Sequence, residues 1–201
     1  MNKIHSIVAS SIDTKQALLE NEALLQLTAD VADVITEAFR NGKAVFWCGN
    51  GGSAADAQHL AAEFSGRFYF DRDPLFSEAL HVNTSYVTAV ANDYSYDQIY
   101  SRLIKAKGRA GDVLIGMSTS GNSKNVIEAF KQARKQDMIV VAMTGQSGGN
   151  MKDHCDYLLN MPSSDTPRIQ ECHMVLGHAI CEIVEASLFT PAAVAVEEVE
   201  G

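Results

Sequence analysis

Residues 44–67 place the tightest limit on what this chain can become. Ala44, Val45, Phe46, Trp47 and Cys48 form an unbroken apolar run, Gly49, Asn50, Gly51 and Gly52 break it, and an alanine-rich segment opens at Ser53. A short apolar run bounded by glycines predicts a strand buried on both faces, and the segment after it predicts a helix. Where a strand turns through glycines into a helix, the first-turn N–H groups lack intrahelical partners and carry partial positive charge, which suits an anion. Two turns into that helix His59 and Glu63 stand at i and i+4, so an imidazole and a carboxylate leave the same face. A solvated helix face produces the same spacing, and the spacing alone leaves the pair's role open.

The unit then recurs. Residues 112–117 predict a second buried strand, Ser118, Thr119, Ser120, Gly121, Asn122 and Ser123 a polar loop, and residues 124–135 an amphipathic helix. Residues 138–144 predict another strand, closed by 145–150, and 157–160 a short last one. Between the two units, 68–76 read as a loop, 78–82 as a short strand, and 85–91 and 96–107 as helices. Residues 1–41 contain neither Gly nor Pro and carry Ile4, Val8, Ile12, Leu24, Val31 and Ile35 at helical spacing, so they predict two helices, the second closed by Asn41 and Gly42. Pro167 stands near the start of a long apolar helix that runs to Leu188. The small, acidic segment 190–201 predicts a disordered tail.

Strands alternating with helices at this spacing pair in parallel through right-handed crossovers, which gives a three-layer αβα sandwich of the α/β class. With 201 residues the chain suits one such domain: residues 1–42 form N-terminal helices of that domain and an oligomer interface, 43–189 the α/β body, and 190–201 the tail. Ligands of open parallel sheets bind beyond the carboxyl ends of the strands, so the two polar loops should face one site. The first loop matches neither the GxGxxG nor the GxxxxGK[ST] pattern, which leaves a dinucleotide or nucleoside triphosphate without support. In the second loop Ser118, Thr119, Ser120 and Ser123 offer hydroxyls that can surround phosphate oxygens, whereas a helix cap would need only one. Gln170 and His178 lie roughly 80° apart around the last helix and can approach one region.

Composition removes other classes. A net charge of -9 and a pI near 5.0 argue against a nucleic-acid partner, which would need clustered Lys and Arg. No apolar stretch is expected to reach the ~18 residues that cross a bilayer, and the N-terminus lacks the apolar core of a secretory signal, so the expectation is a cytoplasmic protein with no membrane partner. The four cysteines show no CxxC spacing and read as reduced, buried thiols.

These residues together carry a resemblance. The stretch from Cys48 to His59, then Glu63, Gly66 and Arg67, Asn92 and Asp93, the loop 118–123, and Arg168 to His178 are similar to the sugar-isomerase (SIS) fold and, within it, to the sedoheptulose 7-phosphate (phosphoheptose) isomerases, over about residues 20–189. The resemblance implies a flavodoxin-like parallel sheet and a homotetramer with sites at subunit interfaces. It implies conversion of sedoheptulose 7-phosphate to D-glycero-D-manno-heptose 7-phosphate, on the way to the heptoses of bacterial surface polysaccharides. It further implies substrate contacts from Asn50, Gly51, Gly52, Glu63, Asn92, Asp93, Ser118, Thr119, Ser120, Ser123 and Gln170. Glu63 and His178 become the acid–base pair, and Zn²⁺ is expected on His59, Glu63, Gln170 and His178. A non-catalytic SIS adaptor of the DnaA initiator-associating type is the alternative, but that type does not retain Glu and His at the positions matching Glu63 and His178. An isomerase of another phosphosugar is a further alternative.

Overall fold

The computed structural model describes residues 2–189; the expected tail lies outside the described residues. Five strands, β1 (Val45–Gly49), β2 (Ser77–Ala79), β3 (Val113–Ser118), β4 (Ile139–Thr144) and β5 (Tyr157–Asn160), form one parallel sheet in the order β2-β1-β3-β4-β5. This is the flavodoxin-like order, and its reversal falls between β1 and β3, where Gly49 pairs with Met117. The carboxyl ends of these two neighbours therefore release both polar loops into one crevice.

Because strand side chains alternate, each strand supplies two cores. Val45, Trp47, Val113, Ile115, Met117, Val141 and Met143 face α2 (Glu22–Arg40), α3 (Gly52–Ser65) and α7 (Thr166–Phe189). Phe46, Cys48, Leu114, Val140 and Ala142 face α4 (Thr84–Asp93), α5 (Ile99–Lys107) and α6 (Lys124–Arg134). Burial on both sides is the reason the central strands read as continuous apolar runs. The remaining helix, α1 (Lys3–Leu19), lies outside these layers against α7 and α2, with Ile4, Val8 and Ile12 exposed.

Three expectations change in detail. β2 is shorter than expected because it is an edge strand: Leu80 still donates to Trp47 O, but Val82 already turns back onto Ala79 O. The expected helix over 96–107 divides into a 3₁₀ turn, Tyr96–Gln98, and α5. Third, α7 is, by length and composition, apolar enough to cross a membrane, which corrects the expectation that no such stretch exists. Packing accounts for that character: Ile169, Cys172, Leu176, Ile180, Cys181 and Val184 of α7 are all buried in the first core.

Candidate active site

The geometry begins with α3 and α7, which pack side by side on one face of the sheet. Gly177 permits their close approach, since a Cβ there would stand 2.5 Å from Cδ1 of the fully buried Leu60. The chain neighbours of these two residues are His178 and His59, and they meet with their Nε2 atoms 3.0 Å apart. His59 Nε2 also lies 3.2 Å from Glu63 Oε1, as the i, i+4 spacing foresaw. One ligand atom from each of His59, Glu63 and His178 falls within 4.8 Å of the others. Facing ring nitrogens at this distance need either a shared proton or a cation between them. Two imidazoles and one carboxylate form a donor set that suits Zn²⁺ and leaves a position for a substrate oxygen, so these residues fit the ion.

At the reversal of the sheet, the second loop gathers its hydroxyls. Ser118 Oγ lies 2.9 Å from Ser123 Oγ and 3.4 Å from Ser120 Oγ, and Ser120 Oγ accepts the Asn122 N–H. Three helix starts are closed by side chains: Asn2, Asn21 and Asn83 each accept a first-turn N–H of α1, α2 and α4. The starts of α3 and α6, at Gly51 and Ser123, have no side-chain cap. Both starts follow the carboxyl ends of neighbouring central strands, where uncapped first-turn N–H groups can take an anion.

The other expected residues are placed as follows. Asn50 forms a reciprocal amide pair with the buried Asn125, with bonds of 2.9 and 2.8 Å, and also accepts from Tyr96 Oη. Its side chain thus ties the first loop to α6. Gln170 stands over the start of α3: its Nε2 would lie 2.5 Å from a Cβ on Gly52. Burial raises the Asp56 carboxyl, against the lowering effects of Gln170 and of His59. Gln170 therefore faces the first turn of α3, and His178 the region of its third. Asn92 and Asp93 close α4, exposed and bonded to each other, and among the described residues they make no hydrogen bond to the histidine pair. Thr119 accepts the Gly145 N–H through its carbonyl.

Comparison with known proteins gives the family. The SIS domain family model matches residues 10–145. A phosphoheptose isomerase of Aneurinibacillus thermoaerophilus is 50% identical over 186 residues, covering 92% of this chain and 94% of that protein. The chain belongs to the phosphoheptose isomerase family. Among solved structures, the isomerase of Neisseria gonorrhoeae superposes with a TM-score of 0.86 at 44% identity, covering 92% of this chain and 97% of that one. That of Francisella tularensis gives 0.88 at 34% identity, covering 91% and 96%.

Several residues around these loops and helices were given no role by the sequence. Asn125 follows the hydroxyl loop by two positions, and nothing local marks its pairing with Asn50. Tyr100 donates its hydroxyl to Gly49 O and fixes the turn out of β1. His173 is fully buried on α7, 3.2 Å from Thr144 O through Nε2, and its burial lowers its pKa to about 4. It is a core histidine, held neutral. Glu185 did leave a signal: it adjoins Val184 in the apolar series of α7, and a carboxylate among core positions demands a cation. The partner is Arg72, in the segment read only as loop.

Proposed function

We propose that the protein isomerises sedoheptulose 7-phosphate to D-glycero-D-manno-heptose 7-phosphate, in the cytoplasm, in the heptose biosynthesis that serves bacterial surface polysaccharides. The observation that carries this reading is the meeting of His59, Glu63 and His178 beside a crevice built for an anion. Such an aldose–ketose exchange needs a base at carbon, an acid–base group at oxygen, and stabilisation of an enediolate. Glu63 takes the proton from C1 of the ketose and returns it to C2. His178 moves a proton between the two oxygens.

Among the described residues the Glu63 carboxylate has only His59 as a side-chain partner, which leaves it capacity to act. The hydroxyls of Ser118, Ser120 and Ser123 and the open starts of α3 and α6 hold the phosphate, so that remote binding energy orients the reacting carbons. Asn50, Gly51, Gly52, Thr119, Asn92, Asp93 and Gln170 contribute to the sugar's surroundings. His59, Glu63 and His178 would hold Zn²⁺, while Gln170, expected as a fourth ligand, stands apart over the first turn of α3; when bound, the ion supplies a Lewis acid for the carbonyl. The protein works as a homotetramer with sites between subunits, a reading supported by the exposed apolar residues Ile4, Val8 and Ile12 on α1.

A coupled assay with sedoheptulose 7-phosphate, with and without chelator, tests the reading. Turnover that chelator removes and added Zn²⁺ restores is expected. Absence of turnover in the zinc-loaded protein would overturn the assignment, and turnover indifferent to chelator would overturn the zinc part alone.

A further inference from the structure

Arg72 and Glu185 form an ion pair of 2.8 Å, with side chains 2% and 1% exposed, and it joins the two helices that carry the reacting groups. From Arg72, Nη2 donates to Glu63 O at 2.9 Å, and Nη1 donates to Phe64 O, Gly66 O and Asp73 O. Glu63 O and Phe64 O are among the last carbonyls of α3, which no intrahelical N–H can satisfy, and a cation suits that end of the helix dipole. On α7, Glu185 accepts the backbone N–H groups of Phe68, Tyr69 and Phe70 as well as Arg72 Nε. It lies two turns beyond His178 on the same helical face. Phe68, fixed by that carboxylate, sets its ring 5.9 Å from the His178 imidazole.

We propose that Arg72 and Glu185 are positioning residues for the isomerisation, locking the last turn of α3 in register with α7 so that Glu63 and His178 address one substrate. The inference rests on the acid–base reading above. Neither residue approaches the loops that hold the phosphate. The clamp therefore acts on turnover and leaves substrate affinity alone.

A clamp that only stabilises the fold makes a different prediction, and the paired variant Arg72→Met, Glu185→Gln separates the two. It removes both buried charges, and the Gln carbonyl oxygen in the place of Oε2 still accepts the Tyr69 and Phe70 N–H groups, while the Phe68 N–H, which bonds Oε1, loses its acceptor. In the purified full-length protein with sedoheptulose 7-phosphate, assayed well below its melting transition, the expected result is a cooperatively folded protein with a lowered thermal midpoint. Alongside it, kcat should fall about ten- to hundred-fold, the scale of a small misplacement of reacting groups, with KM unchanged. Wild-type kcat in the folded pair overturns the proposal. Should the pair fail to fold, Arg72→Lys decides: it keeps the charge but cannot reach the α3 carbonyls with a fork of donors, so the same kcat-selective loss is expected and unchanged kcat is fatal. Glu63→Gln is measured beside them. If it loses turnover while the clamp variants do not, the clamp alone falls; if it retains turnover, the acid–base reading falls and takes the clamp with it.

Discussion

Glu63 and Glu185 are carboxylates on packed neighbouring helices, each beside a basic side chain, and their environments differ in one decisive respect. Glu185 is saturated: three backbone N–H groups and a guanidinium occupy its oxygens, and its side chain is 1% exposed. Glu63 is 21% exposed and, among the described residues, its carboxylate pairs with His59 alone. A carboxylate with every lone pair committed can hold structure together but cannot accept a proton from a substrate. One with free lone pairs beside an imidazole can. The two buried-face histidines of α7 repeat the contrast, since His173 is fixed on Thr144 O in the core while His178 faces another titratable ring.

The sharpest way to break this comparison is to remove the charge from each carboxylate in turn. Glu63→Gln should lower kcat by roughly 10²- to 10⁴-fold with the fold intact, measured by steady-state turnover and circular dichroism. A stability loss instead of a rate loss would show the two carboxylates to be alike. Glu185→Ala should do the opposite, costing about 3–5 kcal/mol of unfolding free energy in denaturant titration, because Arg72 is left buried without its partner.

The pH dependence of that second effect has a definite sign. Burial pushes the Glu185 carboxyl up, but the three N–H groups and Arg72 outweigh it and hold it below its ordinary value. Its contribution is therefore complete above the unfolded carboxylate pKa of about 4.3 and is lost as pH falls through the lower folded value. The smallest expected effect belongs to His173. Its folded pKa is about 4 against an ordinary 6.5, so unfolded chains take up the proton first, and stability drains away as pH falls between those two values. The wild type should lose on the order of 3 kcal/mol across that window, a slope that His173→Gln should flatten in unfolding measured at successive pH values.

Local chemistry explains which parts of this molecule could be read from its letters. β1, its glycine loop and α3 are contiguous, as are β3, the hydroxyl loop and α6, and each declares itself within about two dozen residues. The sheet order followed from alternation of strands and helices together with the resemblance. What could not be read is set by contacts between distant residues. The two facing imidazoles are separated by 119 positions and the clamp by 113, and no periodicity in either helix says which neighbour it will meet. Asn50 was legible as part of an anion loop, but its amide bond to Asn125, 75 positions away, belongs to the fold of the whole sheet. Edges were lost for another reason. β2 has a partner on one side only, so its end depends on where that partner's carbonyls stop, at Trp47 O.

Gly177 carries a consequence for anyone reshaping this protein. The gauge that sets how far apart the two imidazoles stand is a hydrogen atom, wedged against Leu60 where any other residue would present carbon. A single methyl group there would act as a shim between two rods, spreading the histidines without touching either of them. Specificity for a metal or a transition state could drift through that shim alone, in a lineage whose reacting residues never change.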